Sequence, residues 1–483
     1  MSIHKKLLLT SLCTVLVSSS AMAKPYSDAF NTIYDNLRVR GLINFQYISE
    51  ENDDLGTQNE DREDSLATQA RIMLNYKFTD TVDGYLDVRG YRIKGDSGAE
   101  DETGDIIFNQ DFFEIRQYWL RHKNLFGYLP LSLQIGRHRI TEPRTIWWNK
   151  DLDAARLIFD KTLTKGFVGV GENLVAYRTN GSDFEEDDKS RFRFFGEASH
   201  QYKYNHFLDA RFMYEHDHSD NERVGQLLDA EDNDLEDANL LWLGTRQWGK
   251  FKDVTSILPA LHYRLDVMGV YGSEERRTTT LGPNASLRRV TSVEDYDVFG
   301  WGLDAGLEAD LSIPLSPVFK IGYAYGSGDS DTTDKDDGAF RQTGIHGNSS
   351  RRRGDIKSVR NYGEIFRPEL SNLHILSTGL KVPVMDASAL HMNYYSYWLD
   401  EKNAPLRSSG ITGALTGQDT HIGQALDFTF NSELLSEYNV KSDYVKKTYL
   451  KLITGTFKSG DAYAPAGDDE TAFRFLAELE FRF

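Results

Sequence analysis

The last eleven residues, 473–483, alternate between apolar and charged side chains almost without exception. Successive side chains of a β-strand point to opposite faces, so this segment has one apolar and one charged face. A strand with lipid outside and water inside needs this pattern, which is typical of transmembrane β-barrels. The apolar face carries Phe473, Phe475, Ala477, Leu479, Phe481 and Phe483, and the charged face carries Arg474, Glu478, Glu480 and Arg482.

The same alternation recurs along the chain and predicts about 18 strands, an even number typical of single-chain bacterial barrels. The sequence therefore predicts an all-β fold, a transmembrane antiparallel up-and-down β-barrel of the outer-membrane type. No sequence repeat or domain boundary stands out. Clear examples lie at 39–47, 71–78, 86–89, 113–119, 208–214, 261–267 and 299–308.

The connectors between the predicted strands alternate between long and short. If the chain starts in the periplasm, the long connectors fall on the extracellular side, which is the usual asymmetry of these barrels. The long connectors are expected near 50–64, 96–108, 141–154, 179–189, 217–236, 273–295, 327–368, 400–421 and 459–469. The short turns are expected near 80, 124–128, 164, 205, 250–256, 312–316, 384 and 435–445.

The first 23 residues have the composition of a secretory signal peptide. Lys5 and Lys6 precede a short apolar run that ends in the small-x-small site 21–23. The only cysteine, Cys13, lies in this segment, and Leu12 before it argues against a lipoprotein signal. The predicted organisation is therefore a signal peptide at 1–23 and one barrel at 24–483, without a cysteine. Loss of Lys5 and Lys6 changes the formal charge from −19 to −21.

Composition supports the same class. The chain has 25 Tyr, 27 Phe and 7 Trp but only 11 Pro, and aromatic side chains form girdles at membrane interfaces. Mean hydropathy is −0.51, which fits a barrel because only every second residue of a strand needs to be apolar. The acidic charge argues against nucleic-acid binding. No phosphate-binding glycine motif or zinc pattern occurs, so no cofactor, metal site or catalytic residue is predicted.

Seven arginines have the inward parity of their predicted strands. Rings of basic side chains line anion-selective pores, and a guanidinium group can bond both oxygens of a carboxylate. Inward arginines can equally pair with acidic residues across strands and stiffen a polar wall. The residue pattern leaves a basic anion path and a neutralised wall both open. The arginines are Arg40, Arg71, Arg89, Arg116, Arg211, Arg264 and Arg474, and the acidic residues placed to neutralise them include Asp87, Glu114, Asp209 and Asp266.

Nine short motifs, in order along the chain, resemble one family. They are 115–119, Ile135-Gly-Arg-His-Arg139, 176–179, 186–191, Tyr323-Ala-Tyr-Gly-Ser-Gly328, Gly363-Glu-Ile-Phe-Arg-Pro-Glu-Leu-Ser-Asn-Leu373, 409–412, 422–427 and Phe457-Lys-Ser-Gly-Asp-Ala-Tyr463. Together they are similar to the alginate export porins, 18-stranded barrels that pass the polyuronate alginate through the bacterial outer membrane. The resemblance implies a constriction lined by arginine and lysine, here Arg40, Arg71, Arg116, one or both of Arg137 and Arg139, Arg360, Arg367 and Lys451.

Three of these positions depart from the residue type of the family or from the inward parity of their strand. Lys451 occupies a position where the family has arginine, which keeps the charge but loses the bidentate fork. Arg137 and Arg139 share the parity of the apolar residues before them and would point outward. Either a bulge at Gly136 turns them inward, or they lie above the membrane at the base of a loop.

The resemblance also implies plugs formed by an extracellular loop and a periplasmic turn, for which 327–368 is the candidate lid and 435–445 the inner plug. The expected partners are an anionic polysaccharide, lipid and lipopolysaccharide, the outer-membrane assembly machinery through Phe483, and a periplasmic export protein. A monomer is expected. The alternative function is an anion-selective porin that takes up uronate oligosaccharides or other small anions.

The alternative hypothesis from a different functional class is an outer-membrane enzyme. Its best candidate residues are His216 and His218, which lie where a strand runs into a loop beside several acidic residues. A solvated loop end explains this cluster more simply than a catalytic or metal site. The acidic stretch 329–337 lacks the glycine and terminal glutamate of a calcium-binding EF-hand loop and is expected to be a charged surface loop.

Overall fold

The computed structural model describes residues 36–56, 62–96, 99–100, 106–107, 110–175, 177–179, 190–219, 223–229, 236–282, 286–351, 357–463, 467 and 469–483. The predicted signal peptide at 1–23 lies outside this part. Within it, each of eighteen long strands pairs antiparallel with the next, and the last pairs with the first. The predicted barrel is thus confirmed. The strands are β1 (Leu37–Glu51), β2 (Arg62–Lys77), β3 (Val82–Gly95), β4 (Asp111–Lys123), β5 (Leu131–Thr141), β6 (Asn149–Asp160), β7 (Thr164–Glu172), β8 (Arg191–Lys203), β9 (His206–Asp217), β10 (Glu236–Lys252), β11 (Ala260–Leu281), β12 (Leu287–Asp310), β13 (Val318–Gly326), β14 (Leu373–Met385), β15 (Ser388–Leu399), β16 (His421–Glu433), β17 (Lys447–Ser459) and β18 (Thr471–Arg482).

Strand β18 shows how the alternating pattern assigns the two faces of the wall. Phe473 and Phe475 are 47% and 40% exposed on the outer surface, whereas Arg474 between them is 2% exposed. The strand pairs with β17 and β1 without a register shift. A continuous outer surface of apolar side chains is stable only against lipid.

The longest connectors, including 327–372 and 400–420, leave one end of the barrel, here called the long-loop end. Turns such as 204–205 and 386–387 lie at the other, the short-turn end. The short helix α1 (Leu434–Glu437) also lies there. No helix in the described ranges is long and apolar enough to cross a membrane.

Two of the expected long loops are mostly strand. Strands β11 and β12 continue to Leu281 and from Leu287, so that most of the segment 273–295 is a paired hairpin. Its threonine and valine side chains favour extended backbone even where the sequence is polar. Likewise, only 142–148 connects β5 with β6. Both loop predictions were wrong, because polar residues also occur in paired strands that continue beyond the membrane or into the lumen.

A β-bulge interrupts the pairing of β4 with β3 at Arg116. Such an extra residue exchanges the faces of the residues that follow it. Ile115 and Leu120, which have opposite parity, are consequently both exposed outward, at 46% and 56%. Strict alternation over 113–119 predicts Trp119 on the same outer face as Ile115, but Trp119 lies inside and stacks on Tyr85 with the ring centroids 5.3 Å apart. This prediction was wrong because alternation alone does not locate a bulge.

The β5–β6 hairpin leaves the wall part of the way along its length. The pairing of β5 with β4 ends at Arg137, and the pairing of β6 with β7 ends at Asp153. Beyond these points, β4 bonds to the segment 177–179 instead. Residues 138–152, here called the hairpin tip, therefore turn into the lumen.

Gly136 lies where the hairpin begins to turn, and its φ of +118° favours glycine. A Cβ there would lie 2.3 Å from the carbonyl oxygen of Tyr118. The pairing continues through Gly136 without a register shift. Of the two alternatives, the bulge at Gly136 is therefore absent, and the inward turn of the whole hairpin moves the arginines that follow it.

The connector 327–372 is here called the inner loop, and its residues 338–351 and 357–372 lie inside the barrel. The indole nitrogen of Trp242 donates to the carbonyl oxygen of Arg341 at 2.7 Å. The hydroxyl of Tyr362 donates to Asp304 on β12 at 3.0 Å. A buried apolar cluster joins the inner loop, the hairpin tip and the wall. Its largest members include Trp147, Trp148, Phe195, Phe340, Phe366, Tyr395 and Tyr397.

Candidate pore site

The short-turn half of the barrel contains a cavity of about 770 Å³, here called the lumen cavity. Its walls come from β1, β2, β4, β17 and β18, and the hairpin tip and inner loop cover it. Phe483 at the short-turn end also lines it. Six of the ten predicted pore residues line this cavity, namely Arg40, Arg71, Arg116, Arg139, Arg360 and Lys451, and four do not, namely Arg89, Arg137, Arg367 and Arg474.

Several inward arginines are neutralised by carboxylates. The guanidinium group of Arg71 bonds both oxygens of Asp87, with the Nε–Oδ1 distance at 2.7 Å. Arg89 donates to Glu114 at 2.8 Å, and both side chains are buried. The neutralised wall that the sequence left open is therefore present at these strands, since acidic residues of the adjacent strands face both arginines.

The carboxylate partner of Arg116 is more distant in the sequence. The Nε of Arg116 lies 2.8 Å from Asp151 in the hairpin tip, 35 positions along the chain. Gln117 donates to the other oxygen of the same carboxylate at 2.8 Å. These bonds tie the wall to the hairpin tip, and no spacing in the sequence predicted them.

Arg474 and Arg367 share one acidic partner. The Nε of Arg474 and the Nη2 of Arg367 each lie 3.0 Å from Oε1 of Glu50. Arg474 also donates to the carbonyl oxygen of Glu364 at 2.8 Å. This arrangement anchors the inner loop to β1 and β18 and keeps the two arginines away from the lumen cavity.

Arg137 and Arg139 have separate environments although they are two positions apart. Arg137 is buried, with its guanidinium carbon 3.8 Å from the ring centroid of Tyr177 and its Nη1 3.5 Å from Asp153. Arg139 donates to Asn149 at 2.6 Å and lines the lumen cavity. Only Arg139 is therefore available to a solute in the cavity.

Three cations face the lumen cavity and form no ion pair with a carboxylate of the described residues, although Lys451 still interacts electrostatically with Glu478. Within the described ranges, no carboxylate oxygen lies within 4 Å of the cationic nitrogens of Arg40, Arg351 or Lys451. Arg40 and Arg351 are exposed to solvent, whereas Lys451 is 8% exposed. Lys451 lies opposite Glu478 in the register of β17 and β18. Cations that the protein does not neutralise are those best able to bind an anionic solute.

The cavity also contains one compact acidic group. Lys357 of the inner loop bonds both Glu478, at 2.9 Å, and Glu480 of β18. Burial by itself would lower the pKa of Lys357, but the two carboxylates raise it above its ordinary value. Lys357 therefore stays charged at neutral pH and holds the inner loop against the wall.

Glu142 anchors the hairpin tip on the far side of the lumen. Its carboxylate accepts hydrogen bonds from Arg246 of β10 at 2.7 Å and from the backbone nitrogen of Ile146 at 2.7 Å. Burial alone would raise the pKa of Glu142, but the guanidinium groups of Arg211 and Arg246 lower it to about 2. Arg144 adds a bond to Asp304 at 2.9 Å. Sequence reasoning missed these anchors.

A signal for the buried hairpin tip was nevertheless present in the sequence. Residues 144–148 read Arg-Thr-Ile-Trp-Trp. Two adjacent tryptophans are costly in a loop surrounded by water, because each has a large apolar surface. Trp147 and Trp148 are 2% and 0% exposed.

A second, smaller cavity of about 180 Å³ lies between the inner loop and the 400–420 loop. Arg360 lines both this cavity and the lumen cavity, so that it stands at their junction. His346, Arg367 and Ser408 also line the smaller cavity. The basic residues of the site thus continue from the lumen towards the long-loop end.

Other parts of the sequence prediction fall outside these cavities. The turn 435–445 lies at the rim, where Tyr438 and Tyr444 are 69% and 75% exposed. His216 bonds to Asn239, and His218 bonds to Glu172. Among the described residues, no three His, Cys, Asp or Glu side chains form a group suited to a metal ion.

Comparison with solved structures supports the fold. The barrel aligns with OccK5 (OpdH) of Pseudomonas aeruginosa with a TM-score of 0.54 at 9% identity, covering 93% of this chain and 99% of that one. OpdL of the same organism aligns with a TM-score of 0.53 at 13% identity, covering 93% and 98%.

Comparison of sequences identifies the family. Alginate production protein AlgE of Pseudomonas aeruginosa is 29% identical over 381 residues, which are 78% of this chain and 75% of that protein. AlgE of Pseudomonas syringae pv. tomato is 24% identical, over 77% of this chain and 76% of that protein. The alginate export family matches residues 36–477. The fold and these relatives indicate a channel of the bacterial outer membrane, and the chain belongs to the alginate export family.

Proposed function

We propose that this barrel exports alginate or a related polyuronate, and that the carboxylates of the polymer bind the free cations of the lumen cavity. The observation that carries the proposal is that Arg40, Arg351 and Lys451 face this cavity and form no ion pair with a carboxylate in the described part of the chain, whose formal charge over the full sequence is −19. A strongly acidic protein that keeps cations unpaired in its channel is suited to an anionic solute. The names of the relatives support the same substrate.

The distribution of charge suits sliding of a polymer. Each uronate carries one carboxylate with a pKa of roughly 3 to 4, so that the polymer has regularly spaced negative charges at neutral pH. Several weak basic sites let each carboxylate move to the next at similar free energy, whereas one tight site would trap the chain. The neutralised arginines, such as Arg71 and Arg116, keep the wall polar and rigid without adding further traps.

The proposed path runs from the short-turn end through the lumen cavity to Arg360 and then into the smaller cavity. In this orientation the short turns face the periplasm and the long loops face the outside. The inner loop acts as the lid, and the hairpin tip, which also occupies the lumen, must move with it when a polymer passes.

Single-channel conductance in planar bilayers tests the proposal. The refolded barrel should be anion-selective, and oligomannuronates or oligoguluronates should block its current at micromolar to millimolar concentration. Neutral oligosaccharides of the same length provide the control. Cation selectivity, or a current indifferent to uronates, would overturn the proposal.

Uptake of small uronates is the alternative use of the same channel. A passive barrel conducts along the gradient, so the same lumen serves either direction. Export is preferred here because the relatives are named for alginate production. Accumulation of periplasmic polymer in cells that lack the barrel would support export, and loss of growth on oligouronates would support uptake.

A further inference from the structure

The 400–420 loop forms a third cavity, at the long-loop end, here called the outer cavity. Its volume is about 850 Å³, against about 180 Å³ for the smaller cavity beneath it. Residues 402–417 provide nearly all of its lining, together with Tyr463 from the connector between β17 and β18. The outer cavity therefore has room for several sugar units, whereas the smaller cavity has room for about one.

The outer cavity continues the proposed path. Ser408 lines both the outer and the smaller cavity, just as Arg360 lines both the smaller and the lumen cavity. The 400–420 loop is held on the inner loop at this junction. The backbone nitrogen of Gly410 donates to the carbonyl oxygen of Phe366 at 2.6 Å, and that of Glu369 donates to Ser408 at 3.2 Å. The three cavities thus follow one another towards the long-loop end.

The lining of the outer cavity has the groups that bind an acidic sugar. Lys402 and Arg407 are exposed cations. Tyr463 is 3% exposed, and its hydroxyl has no hydrogen-bond partner among the described residues. A buried hydroxyl without a partner is unfavourable, and a sugar hydroxyl or carboxylate would satisfy it.

Packing around Tyr463 keeps this hydroxyl in place. The backbone of Tyr463 pairs with that of Leu415, and its ring packs on Phe457 with centroids 6.3 Å apart. A Cβ at Gly413 would lie 3.1 Å from the ring of Tyr463. The absence of a side chain at Gly413 therefore leaves the ring room beside the loop.

We infer that the outer cavity is an exit site, in which Lys402, Arg407 and Tyr463 bind a short stretch of polyuronate after it has passed Arg360. This inference rests on the proposed function and assigns it a second binding site. Binding there would hold the leading end of the polymer outside the constriction and hinder its return.

Cysteine protection tests the exit site directly, because the chain after residue 23 contains no cysteine. Ser408→Cys reports on the outer cavity, and Ser358→Cys reports on the lumen cavity. Each reacts with a membrane-impermeant thiol reagent in the refolded barrel, with and without short oligomannuronates. We expect oligomannuronate to protect both cysteines and a neutral oligosaccharide to protect neither.

Charge variants then localise the binding. With Lys402→Gln and Arg407→Gln together, the concentration that half-protects Ser408→Cys should rise about a hundredfold, since two charge-assisted contacts are lost, each worth about tenfold. Tyr463→Phe should raise it by a smaller factor while the barrel stays folded. The matched control is Arg223→Gln with Arg289→Gln, which removes the same charge from the same end of the barrel outside all three cavities.

The outcomes separate the two proposals. Protection of Ser358→Cys without protection of Ser408→Cys would overturn the exit site and leave the polyuronate channel standing. Protection of neither cysteine would overturn both. An equal loss of protection in the charge variant and in its control would also overturn the exit site, because general attraction to the long-loop end would then explain the binding.

Discussion

Arg246 Nη1 donates to Glu142 Oε2 at 2.7 Å, although the two residues are 104 positions apart and belong to a wall strand and to the hairpin tip. Arg246 is also bonded to Asp209 on the neighbouring strand at 2.9 Å. Removal of Glu142 therefore leaves Arg246 with a carboxylate partner. The pair is a suitable place to release the hairpin tip without damage to the barrel wall.

We predict that Glu142→Gln releases the hairpin tip and raises the mean current of the channel. The variant weakens the hydrogen bonds of a charged carboxylate, each worth about 1.5–3 kcal/mol, which is enough to shift a docked segment towards its undocked state. Conductance in planar bilayers measures the effect. Asp331→Asn, the same change of charge on an exposed part of the inner loop, is the control, and an equal response in both variants would contradict the prediction.

The same pair predicts a response to acid. In the docked state, the hairpin tip contacts the barrel wall through Glu142 and Arg246. This contact lowers the pKa of Glu142 from 4.5 to about 2, so the docked state has its full stability above pH 4.5. As the pH falls from 4.5 towards 2, each unit should favour undocking by about tenfold, because the undocked carboxylate then binds a proton more readily.

Undocking of the hairpin tip should appear as openings in the single-channel current, recorded in electrolyte without polymer. The frequency of these openings should be constant from pH 7 to pH 5 and should increase below pH 4.5. Glu142→Gln should remove this dependence on pH, because it has no group to titrate at this position. A pH response that persists unchanged in the variant would mean that another group controls the hairpin tip.

Gly244 provides a test that changes no charge. A Cβ at this position would lie 2.3 Å from Cζ2 of Trp147, so Gly244→Ala should push the hairpin tip away from β10. The expected result is a rise in mean current like that of Glu142→Gln, without its acid dependence. Gly269→Ala on β11 is the matched control, since the nearest atom to a Cβ there is 3.8 Å away. A barrel with unchanged current in Gly244→Ala would argue against docking of Trp147 at this site.

The unpaired cations should contribute more to uronate binding than the neutralised ones. Arg40→Gln and Lys451→Gln should each weaken block by oligouronates about tenfold, because each removes a charge-assisted contact. Arg38→Gln, which removes the same charge from the same strand outside the lumen cavity, should have little effect. Block that is equally weakened in Arg38→Gln would mean that only the overall charge matters.

Alternation along the strands was sufficient to predict the barrel. The pattern at 473–483 placed Phe473 outside and Arg474 inside, and the structure has both there. The physical reason is that side-chain direction has a period of two along a strand, and lipid rejects charge at every outward position. This information is local, so one sequence was enough to predict it.

Which inward arginines are neutralised by carboxylates could be predicted only in part. Asp87 and Glu114, on strands next to Arg71 and Arg89, were expected as possible partners because cross-strand neighbours face the same side. The partner of Arg116 was not foreseen, since Asp151 lies in a hairpin that had been assigned to an outer loop. Which cations stay free depends on such distant carboxylates.

The sequence by itself thus determined the barrel, most of its strands and most of their faces, because each follows from residues close together in the chain. The tertiary structure decided that the hairpin tip and inner loop fill the lumen, and which of its cations remain unpaired. Those features depend on contacts such as Glu142 with Arg246 and Arg144 with Asp304, which join residues more than 100 positions apart. No periodicity specifies such contacts, because they form only when the closed barrel brings opposite walls together.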